Sequence, residues 1–491
     1  MGGLLNGNHT KTHFGTNLPL IVDGKDVTTG NVISVISPLT DKEVWTASAA
    51  STKEALDAVT AAEKAFPAWS KTKPSERRDL FLRAAELFLE RKKELQTIIH
   101  HEIGADEHYQ EFIIGLAVEG LKDTAGRIAS AVEGHVPASI HDGMRALIQK
   151  KPYGVILGIA PWNAPYHLGL RSISFALAAG NTTVLKGSEL SPLCYWAIAD
   201  IFRQAGLPDG CLNLILHRPQ DAAEVTSALI ADPRIRKVNF TGSSGVGSII
   251  ASLCGQHLKP VLLELGGKAS AIVMGDADLE NAAKHCALGA FMNAGQICMS
   301  TERVVVHASV ASKFQQLFTE AVDRHFSSAN NKPALITSAS AKRNKDLVQD
   351  ALSKGAQLLH GDKGSTSAEG DVATKMSATI LSGINEDMKL YATESFGPST
   401  SLFVYDSEEE ALRLVNDTEY GLSAAIFTND LGKAFRFADG LESGAVHINS
   451  MTVHDEFALP HGGVKKSGYG RFNGSQGLDE FLYYKSVTWM V

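Results

Sequence analysis

Residues 262–300 read LLELGGKASAIVMGDADLENAAKHCALGAFMNAGQICMS. An apolar run ends on the acid Glu264, a Gly266-Gly267 turn follows, and a second apolar run begins at Ser270. Two apolar runs broken by paired glycines predict two strands that belong to different units, with the boundary at the glycines. The stretch closes on Cys298, at the end of the small and flexible segment Asn293-Ala294-Gly295-Gln296-Ile297-Cys298. A thiol nucleophile and a carboxylate base together suffice to form and then hydrolyse a thioester.

Strands and helices alternate on both sides of the boundary. Before it, strands are expected at 153–160, 182–186, 211–216, 235–241 and 260–265. Helices are expected after Pro165, near 191–192, after Pro219 and over 246–254. After it, strands fall at 271–274, 303–307, 401–405, 424–428 and 444–449, with helices at 278–291, 311–326, 407–416 and 431–440. Repeated β-α units predict parallel sheets covered by helices, hence an α/β protein built from two Rossmann-like units. The front of the chain reads as a short strand at 20–22 and then largely as helix. Ser51 with Glu54 forms a capping box, Pro74 suits a first turn, and a third helical run covers 107–131. Residues 361–371, GDKGSTSAEGD, read as a solvated loop. The last residues, FLYYKSVTWMV, are β-prone. With 144–151 they form a sheet that pairs either with another subunit or with the chain itself.

At 491 residues the chain is too long for a single core. Its net charge of −8 disfavours nucleic acid or an anionic membrane as the main partner. No apolar run approaches the length of a membrane span, and the polar N-terminus lacks a signal core, so the expected location is the cytoplasm, with residues 1–18 a flexible arm. Five cysteines without a C-x-x-C imply a reducing compartment and no disulfide framework. Cys194, Cys211, Cys254 and Cys286 sit in apolar or helical settings that suit packing, and Cys298 does not. The 17 histidines lack ligand spacing, so no metal site is expected.

Several other positions bear on chemistry. Gly242, Ser243 and Gly247 lie in FTGSSGVG at 240–247, between a strand and a helix, where a phosphate or a plain tight turn fits. Lys186 ends a strand and Glu189 follows; the pair can hold a ribose diol or be solvated strand-end charges. Asn163, in the rigid PWNAP turn at 161–165, can face an oxyanion or bond its own backbone. Glu394 and Phe396 sit in ESFGP at 394–398, where the acid can grip a ribose or be an ordinary loop acid.

Taken together and in this order, PWNAP, LKGSE (185–189), FTGSSGVG, LELGGK (263–268), GQIC (295–298), ESFGP and HGGVKKSGYGR (461–471) resemble the aldehyde dehydrogenase superfamily. Arg171 soon after PWNAP, and HDE (454–456) before the PHGG turn, resemble the benzaldehyde, vanillin and salicylaldehyde dehydrogenase group. The resemblance implies Cys298 as nucleophile, Glu264 as general base, and Asn163 with the Cys298 N–H as oxyanion hole. It places Lys186, Glu189, Gly242, Ser243, Gly247, Leu265, Glu394, Phe396 and Trp162 at NAD, with NADP not excluded. It places Tyr166, His167, Leu168, Arg171, Met292, Ile297, Met299 and His461 near the substrate. His461 stands where many members carry Phe, which makes one pocket wall more polar. The implied domains are a cofactor domain (19–133 and 152–265), a catalytic domain (266–460), and an oligomerisation sheet with the C-terminal strand (134–151 and 461–491) of a homodimer or homotetramer. The implied reaction oxidises an aldehyde, aromatic by the narrower resemblance, to its acid. A semialdehyde or aliphatic aldehyde, transfer to coenzyme A, and a non-catalytic member are the competing readings.

Overall fold

The computed structural model describes residues 17–326, 332–362 and 372–491. Most of the expected arm (1–16) and most of the expected loop (363–371) lie outside the described residues. Asn17–Leu18, assigned to the arm from sequence, is instead a short strand paired in parallel with Lys42–Ser48.

Two large sheets organise the molecule. The first has eight strands in the order Gly468–Tyr469, Val261–Glu264, Ile235–Thr241, Val155–Ile159, Thr182–Lys186, Leu212–Ile215, Leu20–Val22 and Lys25–Val27. Its five middle strands run parallel. Every residue of Val155–Ile159 and Thr182–Lys186 is buried, as expected for strands covered by helices on both faces. Each large apolar side chain buried there contributes roughly 1.5–3 kcal/mol. The chain leaves Val155–Ile159 toward one edge through Thr182–Lys186, then returns to its other side with Ile235–Thr241. The strand order therefore reverses beside Val155–Ile159, and a crevice opens there at the carboxyl ends of the strands.

The second sheet has seven strands, in the order Gln357–His360, Thr379–Ser382, Ser399–Tyr405, Thr301–His307, Ala269–Val273, Ser423–Phe427 and Ala445–Ile448. Val261–Glu264 ends the parallel series of the first sheet and Ala269–Val273 begins the second. The paired glycines mark that crossing, as the sequence predicts.

Helix starts follow their local chemistry. Glu54 Oε2 accepts the Ser51 N–H at 2.8 Å and Ser51 Oγ accepts the Lys53 N–H at 3.1 Å, opening Thr52–Trp69. Proline occupies the first turn of Pro74–Glu90, Pro165–Ala178 and Pro192–Gln204. The front departs from the mostly helical expectation, because Val32–Ser37 and Lys42–Ser48 form an antiparallel pair. The terminal strand Leu482–Met490 pairs antiparallel with Met144–Pro152 along its whole length, the sheet expected from sequence. Tyr483, Tyr484 and Trp489 on that two-stranded sheet remain exposed. Among the described residues, no helix is long and apolar enough to cross a membrane.

Candidate active site

Glu264 is the last residue of its strand and is 1% exposed. The turn that follows is crowded at both glycines. A Cβ on Gly266 would stand 2.5 Å from the Glu394 carboxylate, and one on Gly267 would stand 2.2 Å from the Cys298 carbonyl oxygen. The two glycines thus bring ESFGP and the thiol loop against the end of the Glu264 strand. The Gly267 N–H also donates to Glu394 Oε1 at 2.8 Å.

The thiol loop is sharply bent. Asn293, Ala294 and Gly295 have φ of 49°, 58° and 70°. Two non-glycine residues in the left-handed region are unfavourable, so neighbouring contacts must hold the bend. Gln296 supplies much of that hold. Its Nε2 donates to the Asn293 carbonyl, and its Oε1 accepts the Ile336 N–H at 2.8 Å. Ser300 Oγ donates to the Gly295 carbonyl at 3.1 Å. Asn163 Nδ2 donates to the Gln296 carbonyl at 3.0 Å, which fixes the Asn163 amide against the loop.

Cys298, Asn163, His167, Leu168, Arg171, Ile297, Met299 and His461 line one cavity with about 370 Å³ of empty space. Tyr109, Phe112, Ile113 and Leu116, from the helix Glu107–Ala131, complete its apolar wall. These four recur at helical spacing, a pattern indistinguishable in sequence from an ordinary core stripe. Val453 and Asp455 also line it. Two expected pocket residues do not. The Tyr166 hydroxyl donates to the Leu95 carbonyl at 3.0 Å and its ring packs on Phe88, which turns it into the core. Met292 packs, half-buried, against the core that includes the first sheet.

A buried charge cluster adjoins the cavity. Arg171 donates to Asp455 Oδ2 at 2.7 Å and to Glu264 Oε2 at 3.2 Å. His167 Nε2 is 2.8 Å from the same Asp455 oxygen, and Asn473 donates to the other at 2.7 Å. Burial pushes the Glu264 carboxyl up, but His461 and Arg171 outweigh it and the pKa falls below the ordinary value. Asp455 is buried too, yet His461, Arg171 and His167 hold it well below the ordinary range. The Cys298 thiol is pushed well up, first by burial and then by the charge of Glu264, against the opposing pull of Arg171. The acid and the thiol thus act on each other electrostatically. Cys194, Cys211, Cys254 and Cys286 are fully buried, whereas Cys298 is partly open.

The remaining predicted residues gather at the crevice of the first sheet. Gly242 follows Ile235–Thr241, and Ser243 Oγ accepts the Val246 N–H to cap the helix Ser244–Gln256. A Cβ on Gly247 would stand 2.5 Å from Leu265, so that glycine lets the helix approach the strand end. Burial lowers the Lys186 pKa, while Glu189 opposes it. Glu394 is pushed up to about 7 by burial and by the charge of Glu302. Trp162 meets Phe396 edge-on, with ring centres 5.8 Å apart. A glycine-cleared helix N-terminus, a strand-end lysine with an acid, and a second acid across the crevice form a donor and acceptor set that suits a dinucleotide.

A doubly wound sheet whose crevice suits a nucleotide, beside a cavity that holds a thiol and a carboxamide next to a buried charge cluster, is an arrangement that suits an oxidoreductase working through a covalent thioester. Residues 25–487 match the aldehyde dehydrogenase family, and the chain belongs to it. It is 43% identical over 479 residues to a vanillin dehydrogenase of Pseudomonas fluorescens, covering 96% of this chain and 98% of that one. It is 38% identical over 461 residues to a salicylaldehyde dehydrogenase of Pseudomonas putida, covering 92% and 93%. The crystal structure of a salicylaldehyde dehydrogenase from Pseudomonas putida G7 complexed with salicylaldehyde superposes with a TM-score of 0.93, at 35% identity, over 97% of this chain and 98% of that one.

Proposed function

We propose that this enzyme oxidises a neutral aromatic aldehyde to its carboxylic acid with NAD, in the cytoplasm, as a homodimer or homotetramer. The carrying observation is the cavity in which Cys298 and Asn163 face apolar walls beside buried Glu264. The sequence relatives support the aromatic class by their own names. Residues 19–133 and 152–265 serve as the cofactor domain and 266–460 as the catalytic domain. Of the segments expected in assembly, 134–151 and 461–491, only Met144–Pro152 with Leu482–Met490 keeps that role, supported by its exposed aromatics, because His461 lines the cavity and Gly468–Tyr469 joins the first sheet.

Cys298 gives up its thiol proton to water, its thiolate Sγ adds to the aldehyde carbon, and the oxygen takes up the π electron pair. Asn163 Nδ2 spends one N–H on Gln296 and offers the other to that oxygen, beside the Cys298 N–H. Lys186 and Glu189 hold one ribose of the cofactor, Glu394 the other, and the amides near Ser243 its diphosphate. When bound, the oxidised nicotinamide supplies a positive charge near the thiol and a hydride acceptor. Loss of hydride from the substrate carbon leaves a thioester on Cys298. Glu264 then takes a proton from water, the hydroxyl bonds to the acyl carbon, and the C–S bond breaks to release the acid. Glu189 would repel a 2′-phosphate, which favours NAD over NADP.

A semialdehyde substrate fits poorly. Arg171, the cation at the cavity, already serves Asp455 and Glu264, so a substrate carboxylate meets an excess of negative charge. The test is a panel of benzaldehydes, hydroxybenzaldehydes, aliphatic aldehydes and succinic semialdehyde, each with NAD and NADP, followed by cofactor reduction. Aromatic substrates with NAD are expected to give the highest kcat/KM, and Cys298→Ala no turnover. A preference for the semialdehyde would overturn the substrate class.

A further inference from the structure

His461 stands between two buried carboxylates. Its Nε2 lies 3.9 Å from Glu264 Oε1 and its Nδ1 lies 3.8 Å from Asp455 Oδ1. Both separations exceed a direct hydrogen bond, and a shift of about 1 Å closes either. Nε2 of His461 and Oε1 of Glu264 are both buried, and neither has another hydrogen-bond partner among the described residues. The two atoms are therefore both free to meet. The backbone sets the ring, since His461 and Phe472 exchange N–H···O=C bonds of 2.8 Å in both directions. Arg171, His167 and Asn473 in turn hold Asp455 in place.

With a neutral imidazole the cluster carries an uncompensated negative charge, so a proton arriving on it is met by attraction. Arg171 carries one positive charge against the two negative charges of Glu264 and Asp455, and all three side chains are buried. His167 is kept neutral by burial and the nearby Arg171, despite the pull of Asp455. His447, which feels the charges of His461, His454 and Asp455, is pushed down to about 4, first by burial, and is neutral near pH 7. His454 is half-exposed, and its ring centre lies 4.8 Å from that of His447. Of these imidazoles, only His461 is placed between both carboxylates.

We propose that His461 acts through Glu264 as its proton acceptor during thioester hydrolysis, with Asp455 holding the imidazolium. This rests on the reading of Glu264 as the general base. Glu264 Oε1 takes the proton of the attacking water as the hydroxyl oxygen bonds to the acyl carbon. That proton passes to His461 Nε2, while Nδ1–H faces Asp455. Glu264 returns to the carboxylate, the imidazolium loses its proton to solvent, and no electrons change hands. An acid, an imidazole and a second acid in line form a relay in which the outer carboxylate fixes the tautomer and stabilises the cation.

The experiment compares wild type, His461→Phe, His461→Ala and Glu264→Gln. Rapid mixing reads the burst of cofactor reduction, and acid quench with mass spectrometry reads acyl-enzyme decay. His461→Phe is expected to keep the burst rate within about twofold and to slow acyl-enzyme decay by roughly 10- to 100-fold, a loss sized for general acid–base catalysis. Free imidazole is expected to restore decay partly in His461→Ala, an effect that lost packing alone would not show. The acid limb of the wild-type decay rate is expected to move in His461→Phe. Wild-type decay and pH profile in His461→Phe, or equal losses in burst and decay without imidazole rescue, would overturn the relay. If Glu264→Gln itself decays at the wild-type rate, the base reading fails instead. If Glu264→Gln stalls while His461→Phe does not, only the relay falls.

Discussion

The guanidinium of Arg171 lies 3.2 Å from the Glu264 carboxylate, and each side chain is 1% exposed. Solvent therefore screens this pair very little. Arg171 also neutralises Asp455 at 2.7 Å, so removing it strands two carboxylates in a dry site. Breaking a buried pair typically costs about 3–5 kcal/mol. Arg171→Met is expected to lose stability of that order, seen as a clear fall in Tm. Glu264, freed from a cation that lowers its pKa, should titrate at higher pH. The acid limb of the deacylation rate should then move upward, and an unmoved limb would separate Arg171 from the base.

Asp455 gives a pH-dependent stability. Its folded pKa lies well below the ordinary 3.8, so it stabilises the folded state above the unfolded pKa. That contribution is lost as pH falls through the lower, folded pKa. Asp455→Asn is thus expected to melt below wild type at pH 7, and the gap in Tm should close as pH drops below about 4. A gap independent of pH would mean that shape, and not charge, is what the site requires.

The residues proposed for the chemistry could be singled out in sequence, and those that support them could not. Glu264 and Cys298 stood out because an acid at a strand end and a thiol in a small-residue loop are unusual settings, joined by the turn that both need. Proline starts and apolar runs likewise marked most helices and strands of the two α/β series. Asp455 was visible only as part of the quoted HDE. It meets Arg171 across 284 residues of chain, and no local period carries such a pairing. The strands Val32–Ser37 and Lys42–Ser48 were missed because short, half-exposed alternation is weak beside the helices that follow. Tyr166 was misplaced for a related reason: on a helix buried all round, sequence does not say which face meets the cavity.

Cys298 should be slow to react in the enzyme without cofactor. Burial and the neighbouring Glu264 hold its thiol pKa well up, and only the thiolate is an effective nucleophile. Alkylation by iodoacetamide at pH 7 is expected to be slower than that of a free thiol and to speed up steeply as pH rises. Glu264→Gln removes the negative charge and leaves Arg171, which lowers the thiol pKa. That variant should be alkylated faster at pH 7. A slower reaction would show that Glu264 acts on the thiol as a base, in place of opposing its ionisation.

Glu394 ties cofactor affinity to pH. Burial and the charge of Glu302 raise its pKa to about 7, against the Gly267 N–H and Lys268, which favour the charged form. Below that pH the carboxyl is largely protonated, and above it the carboxylate accepts hydrogen bonds from a ribose diol more strongly. NAD affinity is therefore expected to tighten several-fold between pH 6 and 8, the range in which a group of this pKa changes charge. Calorimetry in buffers of different ionisation enthalpy should show proton release on binding near pH 7. Glu394→Gln keeps the size of the side chain but cannot titrate, so its affinity should be weaker and flat across the same range. Equal pH dependence in both proteins would move the titrating group elsewhere in the crevice and leave Glu394 as a brace for the Gly266-Gly267 turn.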